Sequence, residues 1–195
     1  TTDVPTIKTT SAILAFSAIQ NNDKVGVIFF SDKIEKFISP KKGSTHILRI
    51  IRELIDFKPE NTKTDITEAL RYFTNVIKKK STAFLISDFY DNNYEDALKI
   101  ASKKHDIVAI RITDEKEKTL PDLGLVKIYD PETDKTLWID TSSKDVRNNF
   151  AQSYNDHSRY VNETFRKYGI DNVEISTGQD YVKQLMKLFK QREHK

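Results

Sequence analysis

The run Ser81-Thr-Ala-Phe-Leu-Ile-Ser-Asp-Phe-Tyr-Asp91 decides how the rest of the chain is interpreted. Its residues from Thr82 to Ser87 are nearly all apolar. Such a run is too short for a helix, and it predicts a strand buried on both faces of a parallel sheet. Asp88 follows directly, at the strand end where open α/β sheets bind ligands. Asp88 is therefore a candidate site residue, and a simple role in capping the loop is the alternative.

The composition predicts one α/β domain. The chain has 195 residues, of which 37% are hydrophobic and 31% are charged, and it has no Cys. This size allows one real core, and the lack of Cys excludes disulfides and fits a reducing compartment. The 32 basic and 29 acidic residues are interspersed, whereas nucleic-acid proteins concentrate basic charge on one face. We therefore expect no nucleic-acid partner. No apolar run approaches the ~18 residues of a membrane span, so we also expect a cytoplasmic protein.

Helical and strand patterns alternate along the chain in the order α-β-β-α-α-β-α-β-hairpin-α-β-α. This order predicts a single α/β domain over residues 1–195, with a mostly parallel sheet covered by helices on both faces. Ile34–Ile38 partly alternates and is followed by Pro40, which predicts an antiparallel edge strand.

Two short strand patterns flank a turn that contains Pro131. Leu125–Tyr129 and Thr136–Ile139 therefore predict a β-hairpin, which we interpret as an insertion on the sheet at about residues 124–140. Its aromatic residues, Tyr129 and Trp138, are expected to pack against the sheet.

Thr64 is the second candidate site residue. It opens the loop before a predicted helix whose N-cap is Asp65 or Thr67. In a parallel α/β sheet, Thr64 and Asp88 both lie at the carboxyl edge. A hydroxyl and a carboxylate are hard oxygen ligands of the kind that Mg²⁺ prefers. Two ligands are too few for a site, and two unrelated loop positions are the equally simple alternative.

Acidic residues also follow the strand that ends at Ile112. Asp114, Glu115 and Glu117 are candidates for binding a cation or a basic partner, and a solvated loop is the alternative. An enzyme hypothesis is a metal-assisted hydrolase that uses Asp88 with Asp114 or Glu115.

Other site classes have less support in the sequence. Nucleotide binding at the sheet edge is disfavoured, because the five glycines form no phosphate-binding loop. The histidines have no metal-ligand spacing and are expected at the surface or at helix ends: His46, His105, His157 and His194.

Stretches spread over nearly the whole chain carry a family resemblance. They are Leu14–Asp32, Thr64-Asp65 with Glu68-Ala-Leu70, Phe84–Phe89, Arg111–Glu115, Leu120–Leu125, Asp130–Thr133 and Trp138–Thr141. They resemble the bacterial family called domain of unknown function 58, which is von Willebrand factor A-like. The resemblance implies a three-layer, Rossmann-like fold: a mostly parallel sheet, one antiparallel edge strand, and helices on both faces.

The resemblance also implies a metal-ion-dependent adhesion site at the carboxyl edge. Its ligands come from a D-x-S-x-S loop after the first strand, from a Thr in a later loop and from an Asp at a strand end. Thr64 matches that Thr and Asp88 matches that Asp, whereas Phe89 stands where many such domains have Gly. No D-x-S-x-S segment lies between Thr1 and Ile7. We therefore expect the first strand and the remaining ligands upstream of Thr1, and Mg²⁺ binding by the intact protein rather than by this chain alone.

The function implied by the resemblance is that of a protein-interaction module and not of an enzyme. Members are often encoded beside MoxR-type AAA+ ATPases and act with them in the assembly or maturation of other proteins. Asp65, Asp114 and Glu115 are the candidate partner-binding residues at the same edge.

Overall fold

The computed structural model describes residues 3–61, 63–91, 93–130 and 135–193. The helices in this part of the chain are α1 Asp3–Gln20, α2 Ser44–Asp56, α3 Ile66–Val76, α4 Glu95–Lys104, α5 Lys144–Tyr168 and α6 Tyr181–Glu193. The strands are β1 Val25–Phe30, β2 Ile34–Lys41, β3 Thr82–Ser87, β4 Asp106–Thr113, β5 Leu125–Asp130, β6 Lys135–Asp140 and β7 Asp171–Ser176. The predicted mixture of helices and strands is confirmed.

The strands of the described residues form three separate sheets. β3, β4 and β7 form a parallel sheet in the order β3-β4-β7, and β1-β2 and β5-β6 are antiparallel pairs. The predicted antiparallel strand at Ile34–Ile38 is β2, and Pro40 lies near its end. One continuous sheet was expected. The structure differs because β1 and β3 each pair on one side only and do not hydrogen-bond to each other.

The core is built around β4, which is buried from Ile107 to Thr113. Successive side chains of a strand point to opposite faces, so β4 contributes to two apolar clusters. One cluster includes Leu98 of α4 and Phe165 of α5. The other joins β4 and β7 to Leu185 of α6 and to partly buried residues of α1. The helices therefore cover both faces of the parallel sheet.

β1 and β3 are as apolar as β4 but are less buried. Val27, Ile28 and Phe30 of β1 are half-buried, and so are Phe84 and Ile86 of β3. The prediction that Thr82–Ser87 is buried on both faces is therefore only partly met. The physical reason is that, among the described residues, each of these strands has a strand neighbour on one side only.

The β5-β6 hairpin projects from the rest of the molecule. Tyr129 is 58% exposed and Trp138 is 64% exposed, so the expectation that they pack against the sheet is wrong. Hydrogen bonds of Thr141 fix the base of the hairpin. The Thr141 hydroxyl accepts from the Leu123 N–H at 2.9 Å and donates to the Gly124 carbonyl at 2.7 Å. The turn at residues 131–134 lies outside the described residues.

Candidate functional site

The start of α3 joins the ends of β1 and β3. The Asp65 N–H donates to the carbonyl of Ser31, which follows β1, at 2.8 Å. The Ile66 N–H donates to the Asp91 carboxylate, in the turn after β3, at 2.7 Å. The junction therefore brings together three segments at the carboxyl end of β3. Thr64 is half-buried and directly precedes this junction.

Asp65 caps α3. Its carboxylate accepts from the Glu68 N–H at 2.7 Å and so satisfies one of the free donors of the first helical turn. Of the two N-cap candidates, the structure selects Asp65 over Thr67. The Asp65 carboxylate therefore has a structural role as a helix cap. Contact between Asp65 and a partner stays a prediction.

Asp88 lies in a tight turn directly after β3. Its half-buried carboxylate accepts from the Ser87 hydroxyl and from the Tyr90 N–H, both at 3.2 Å. The Ser87 hydroxyl in turn accepts from the Phe89 N–H at 3.0 Å. These local hydrogen bonds hold Asp88 at the end of the strand. Its carboxylate forms no ion pair with the described residues.

Thr64 and Asp88 have the chemistry of magnesium ligands, since both supply hard oxygen atoms. Within the described ranges, however, no group of three or more His, Asp or Glu side chains is placed to hold a metal ion. The hydrogen bond from Ile66 to Asp91 joins the loop that contains Thr64 to the turn that contains Asp88. The two residues suit Mg²⁺ by the chemistry of their oxygen atoms, and a site that uses them with additional ligands stays a prediction.

The acidic segment after β4 is buried at Asp114 and exposed at Glu115. Asp114 is only 5% exposed and accepts from the Lys116 N–H at 3.0 Å, at the start of the 3₁₀ turn Glu115–Glu117. Glu115 is exposed and pairs with Lys118 at 2.7 Å, and this hydrogen bond lowers the pKa of Glu115. The burial of Asp114 does not favour a partner-binding role for this residue.

Sequence reasoning missed a buried polar cluster at the end of β4. Arg111 is 2% exposed, and its Nη1 donates to the Ser158 hydroxyl of α5 at 2.7 Å. Its guanidinium lies 5.8 Å from the centre of the Tyr154 ring. The signal was a charged residue in the otherwise apolar run Ile107–Ile112, which indicates a side chain with a specific purpose.

Two histidines occupy less exposed positions than expected. His105 lies at the end of α4, as one of the two expected placements requires, but it is only 3% exposed, and its ring centre lies 4.4 Å from that of Phe73. His157 is half-buried and stacks on Tyr90 with ring centres 4.2 Å apart. Burial lowers the pKa of both imidazoles, and the charge of Arg111 lowers that of His157 further.

An open groove lies between α4 and α5. Its lining includes Glu95, Lys99, Tyr160 and Lys167 but not the candidate residues at the sheet edge. The groove therefore does not supply the cleft around Asp88 that a hydrolase needs.

The sequence of the chain also matches a known family. Residues 3–160 match the family described as "Protein of unknown function DUF58". The chain belongs to the DUF58 family.

DUF58 relatives include uncharacterized mycobacterial proteins. One from Mycobacterium avium is 27% identical over 135 residues, which cover 69% of this chain and 79% of the relative. One from Mycobacterium tuberculosis (strain ATCC 25618 / H37Rv) is 21% identical over 187 residues, or 93% of this chain. The match spans 58% of the length of that M. tuberculosis protein.

Two solved structures share the fold of this DUF58 chain. The conserved hypothetical protein BatB from Bacteroides thetaiotaomicron has a TM-score of 0.59 at 14% identity, covering 98% of this chain and 89% of BatB. An aerotolerance-related membrane protein from Bacteroides fragilis NCTC 9343, with multiple mutations to serines, has a TM-score of 0.57 at 13% identity. That match covers 94% of this chain and 88% of the other. In the described part of the DUF58 chain, no helix combines the length and the apolar character needed to cross a membrane.

Proposed function

We propose that this DUF58 protein is a cytoplasmic protein-interaction module of the von Willebrand A type. It works with a MoxR-type AAA+ ATPase in the assembly or maturation of other proteins. The junction at the start of α3 is the observation that carries this proposal. It ties the loop of Thr64 to the residues that follow β1 and to the turn that contains Asp88.

A further strand between β1 and β3 completes the proposed module. Both strands have a free side in the described residues, and both contain half-buried apolar side chains. Helices already bridge the two sheets, since α1 contacts α2, β3 and β4 while α3 contacts β1, β2 and α4. A strand in this position would pair with the backbone N–H and C=O groups of both edges.

The inserted strand would also supply the remaining metal ligands. In this proposal its carboxyl end lies between Ser31 and Asp88 and leads into the D-x-S-x-S loop, upstream of Thr1. The Thr64 hydroxyl and the Asp88 carboxylate would hold Mg²⁺ together with that loop. A bound cation with one open coordination position accepts a carboxylate oxygen from a partner protein.

The test is partner binding by the full-length protein. We expect the immobilised MoxR-type ATPase to retain the wild-type protein in the presence of Mg²⁺ and to lose it after chelation with EDTA. Asp88→Asn should abolish the Mg²⁺-dependent retention, because the amide keeps the turn but removes the anionic ligand. Asp96→Asn, an exposed carboxylate of α4, is the matched control and should bind normally. Equal retention of wild type and Asp88→Asn would refute the proposal.

The hydrolase hypothesis stays a prediction. It requires Asp114 or Glu115 to act with Asp88 on a substrate. The burial of Asp114 and the ion pair between Glu115 and Lys118 do not favour it.

A further inference from the structure

The buried guanidinium of Arg111 uses only part of its hydrogen-bonding capacity. Nη1 donates to Ser158, whereas Nε and Nη2 are buried without a hydrogen-bond partner. Leaving a buried charged donor unpaired costs more than leaving a neutral one unpaired. A residue that is 2% exposed and carries two such donors therefore needs an explanation.

The two unused nitrogens form one side of the guanidinium fork. Nε and Nη2 present N–H bonds that run parallel in one plane, which is the arrangement that receives two oxygens of a carboxylate or a phosphate. The carboxylate of Glu174 lies 3.6 Å from Nη1, on the other part of the group. Glu174 is also 3.9 Å from Lys118, so its charge is shared between two cations. Glu174 therefore does not occupy the Nε and Nη2 side of Arg111.

Further unused polar atoms surround Arg111. The Tyr154 hydroxyl and the His157 Nε2 are buried and have no hydrogen-bond partner. Tyr154, His157 and Ser158 are three and four residues apart on α5, so they share one face of that helix. This face packs on the end of β4, where Ser158 receives the hydrogen bond from Arg111. Arg111, Tyr154 and His157 thus contribute four buried polar atoms without a partner to one region, whereas the other such atoms of the described residues belong to Thr10, Tyr94 and His105.

Tyr90 marks the exposed side of this cluster. Its ring is partly exposed and stacks almost parallel on His157, with an interplanar angle of 10°. Tyr90 belongs to the turn after β3 and not to α5, so its ring is held to the cluster by stacking rather than by a hydrogen bond.

We propose that the Arg111 fork binds an oxyanion group, a carboxylate or a phosphate, through paired hydrogen bonds from Nε and Nη2. Tyr154 and His157 contact the same group, and Tyr90 covers it. This site goes beyond the proposed metal-dependent function, because its contacts come from β4 and α5 and require no cation.

The experiment is an NMR titration of the full-length protein that follows the Arg111 Nε–H and the His157 ring signals. Sodium phosphate and sodium acetate are added separately, and NaCl keeps the ionic strength constant. We expect a saturable shift of both signals with at least one anion, and the comparison identifies which oxyanion the site prefers. The absence of a saturable shift with both anions would overturn the proposal.

Arg111→Lys tests the fork itself, because lysine keeps the charge but loses the parallel donors. Followed on His157, the anion affinity should fall about tenfold or more in this variant. Arg159→Lys, which changes an exposed arginine on the same helix, should bind like the wild type. Equal affinity in Arg111→Lys and wild type would contradict the proposal. If Arg111→Lys does not fold, the wild-type Nε–H titration decides alone.

Discussion

Phe89 has a strained backbone conformation and a buried, well-packed side chain. Its φ is +62°, in the left-handed region that costs an L-residue roughly 1–2 kcal/mol. Its ring is fully buried and lies 5.0 Å from the ring of Phe165 and 6.0 Å from that of Tyr94. Packing therefore offsets the backbone strain, and the turn that holds Asp88 is kept.

The first prediction concerns the order of two substitutions at Phe89. Both lose the ring contacts, and a buried Phe→Ala change costs about 3–5 kcal/mol. Phe89→Ala keeps the backbone strain, whereas Phe89→Gly relieves it by roughly 1 kcal/mol. We expect urea unfolding to show Phe89→Gly as the more stable variant, the reverse of the usual order inside helices and strands. A more stable Phe89→Ala would contradict the role assigned to the turn.

His105 predicts a pH dependence of stability. Its burial lowers the pKa in the folded state below the ordinary value of 6.5, with a smaller contribution from Lys104. Between the two pKa values the unfolded chain binds more protons, so the free energy of unfolding rises with pH in that window. Stability should therefore decrease as pH falls below about 6.5. His105→Leu should reduce this slope in urea titrations, with the part due to His157 remaining, and an unchanged slope would count against the assignment.

At the scale of elements, α3 is the part that organises the candidate site. Its N-cap carboxylate belongs to Asp65, and the backbone N–H groups of Asp65 and Ile66 donate to the segments after β1 and β3. The start of this helix was predictable, because Thr-Asp-Ile-Thr-Glu is a local capping pattern. The bonds from Asp65 to Ser31 and from Ile66 to Asp91 were not, because they join residues that are distant along the chain.

The capping role gives a prediction that separates structure from partner binding. Asp65→Ala should reduce the free energy of unfolding by about 1 kcal/mol, whereas Asp65→Asn should have little effect, because Asn caps as well as Asp. Chemical denaturation of both variants measures this difference. Equal destabilisation by Ala and Asn would show that the charge of Asp65, rather than its cap, stabilises the protein.

Local sequence patterns predict strands, but they do not predict the exposure of a hairpin or the contacts of a buried polar residue. β3 was predicted with correct bounds, because Thr82–Ser87 is an apolar run that ends at turn residues. The exposure of Trp138 was not predicted, since a hairpin pattern does not show whether a sheet lies beneath it. The hydrogen-bond partner of Arg111, Ser158, comes from α5 and lies 47 residues further along the chain, so no local pattern predicts the contact.

At the scale of the whole molecule, the two sheets beside the junction are the main feature. Helices α1 and α3 hold them together, although β1 and β3 do not pair. The alternation of helices and strands predicted the α/β class, but one continuous sheet was expected. The difference arises because the pairing of two distant strands is a tertiary property that neither run determines.

Hydrogen exchange of the full-length protein tests the proposed central strand. If a strand lies between β1 and β3, the amides of both should exchange as slowly as those of β4, because all would be paired on both sides. β2 serves as the internal control, since it is the outer strand of its pair and should exchange faster. Fast exchange along β1 and β3 in the full-length protein would rule out the inserted strand.

The central claim is that Thr64 and Asp88 form half of a cation site that recruits a partner protein. Calorimetric titration of the full-length protein with Mg²⁺, and then with Mn²⁺, tests this claim most directly. We expect saturable binding that is lost in Asp88→Asn and weakened in Thr64→Val, while Asp96→Asn binds like the wild type. Saturable binding that persists in Asp88→Asn, or no binding by the wild-type protein, would contradict it.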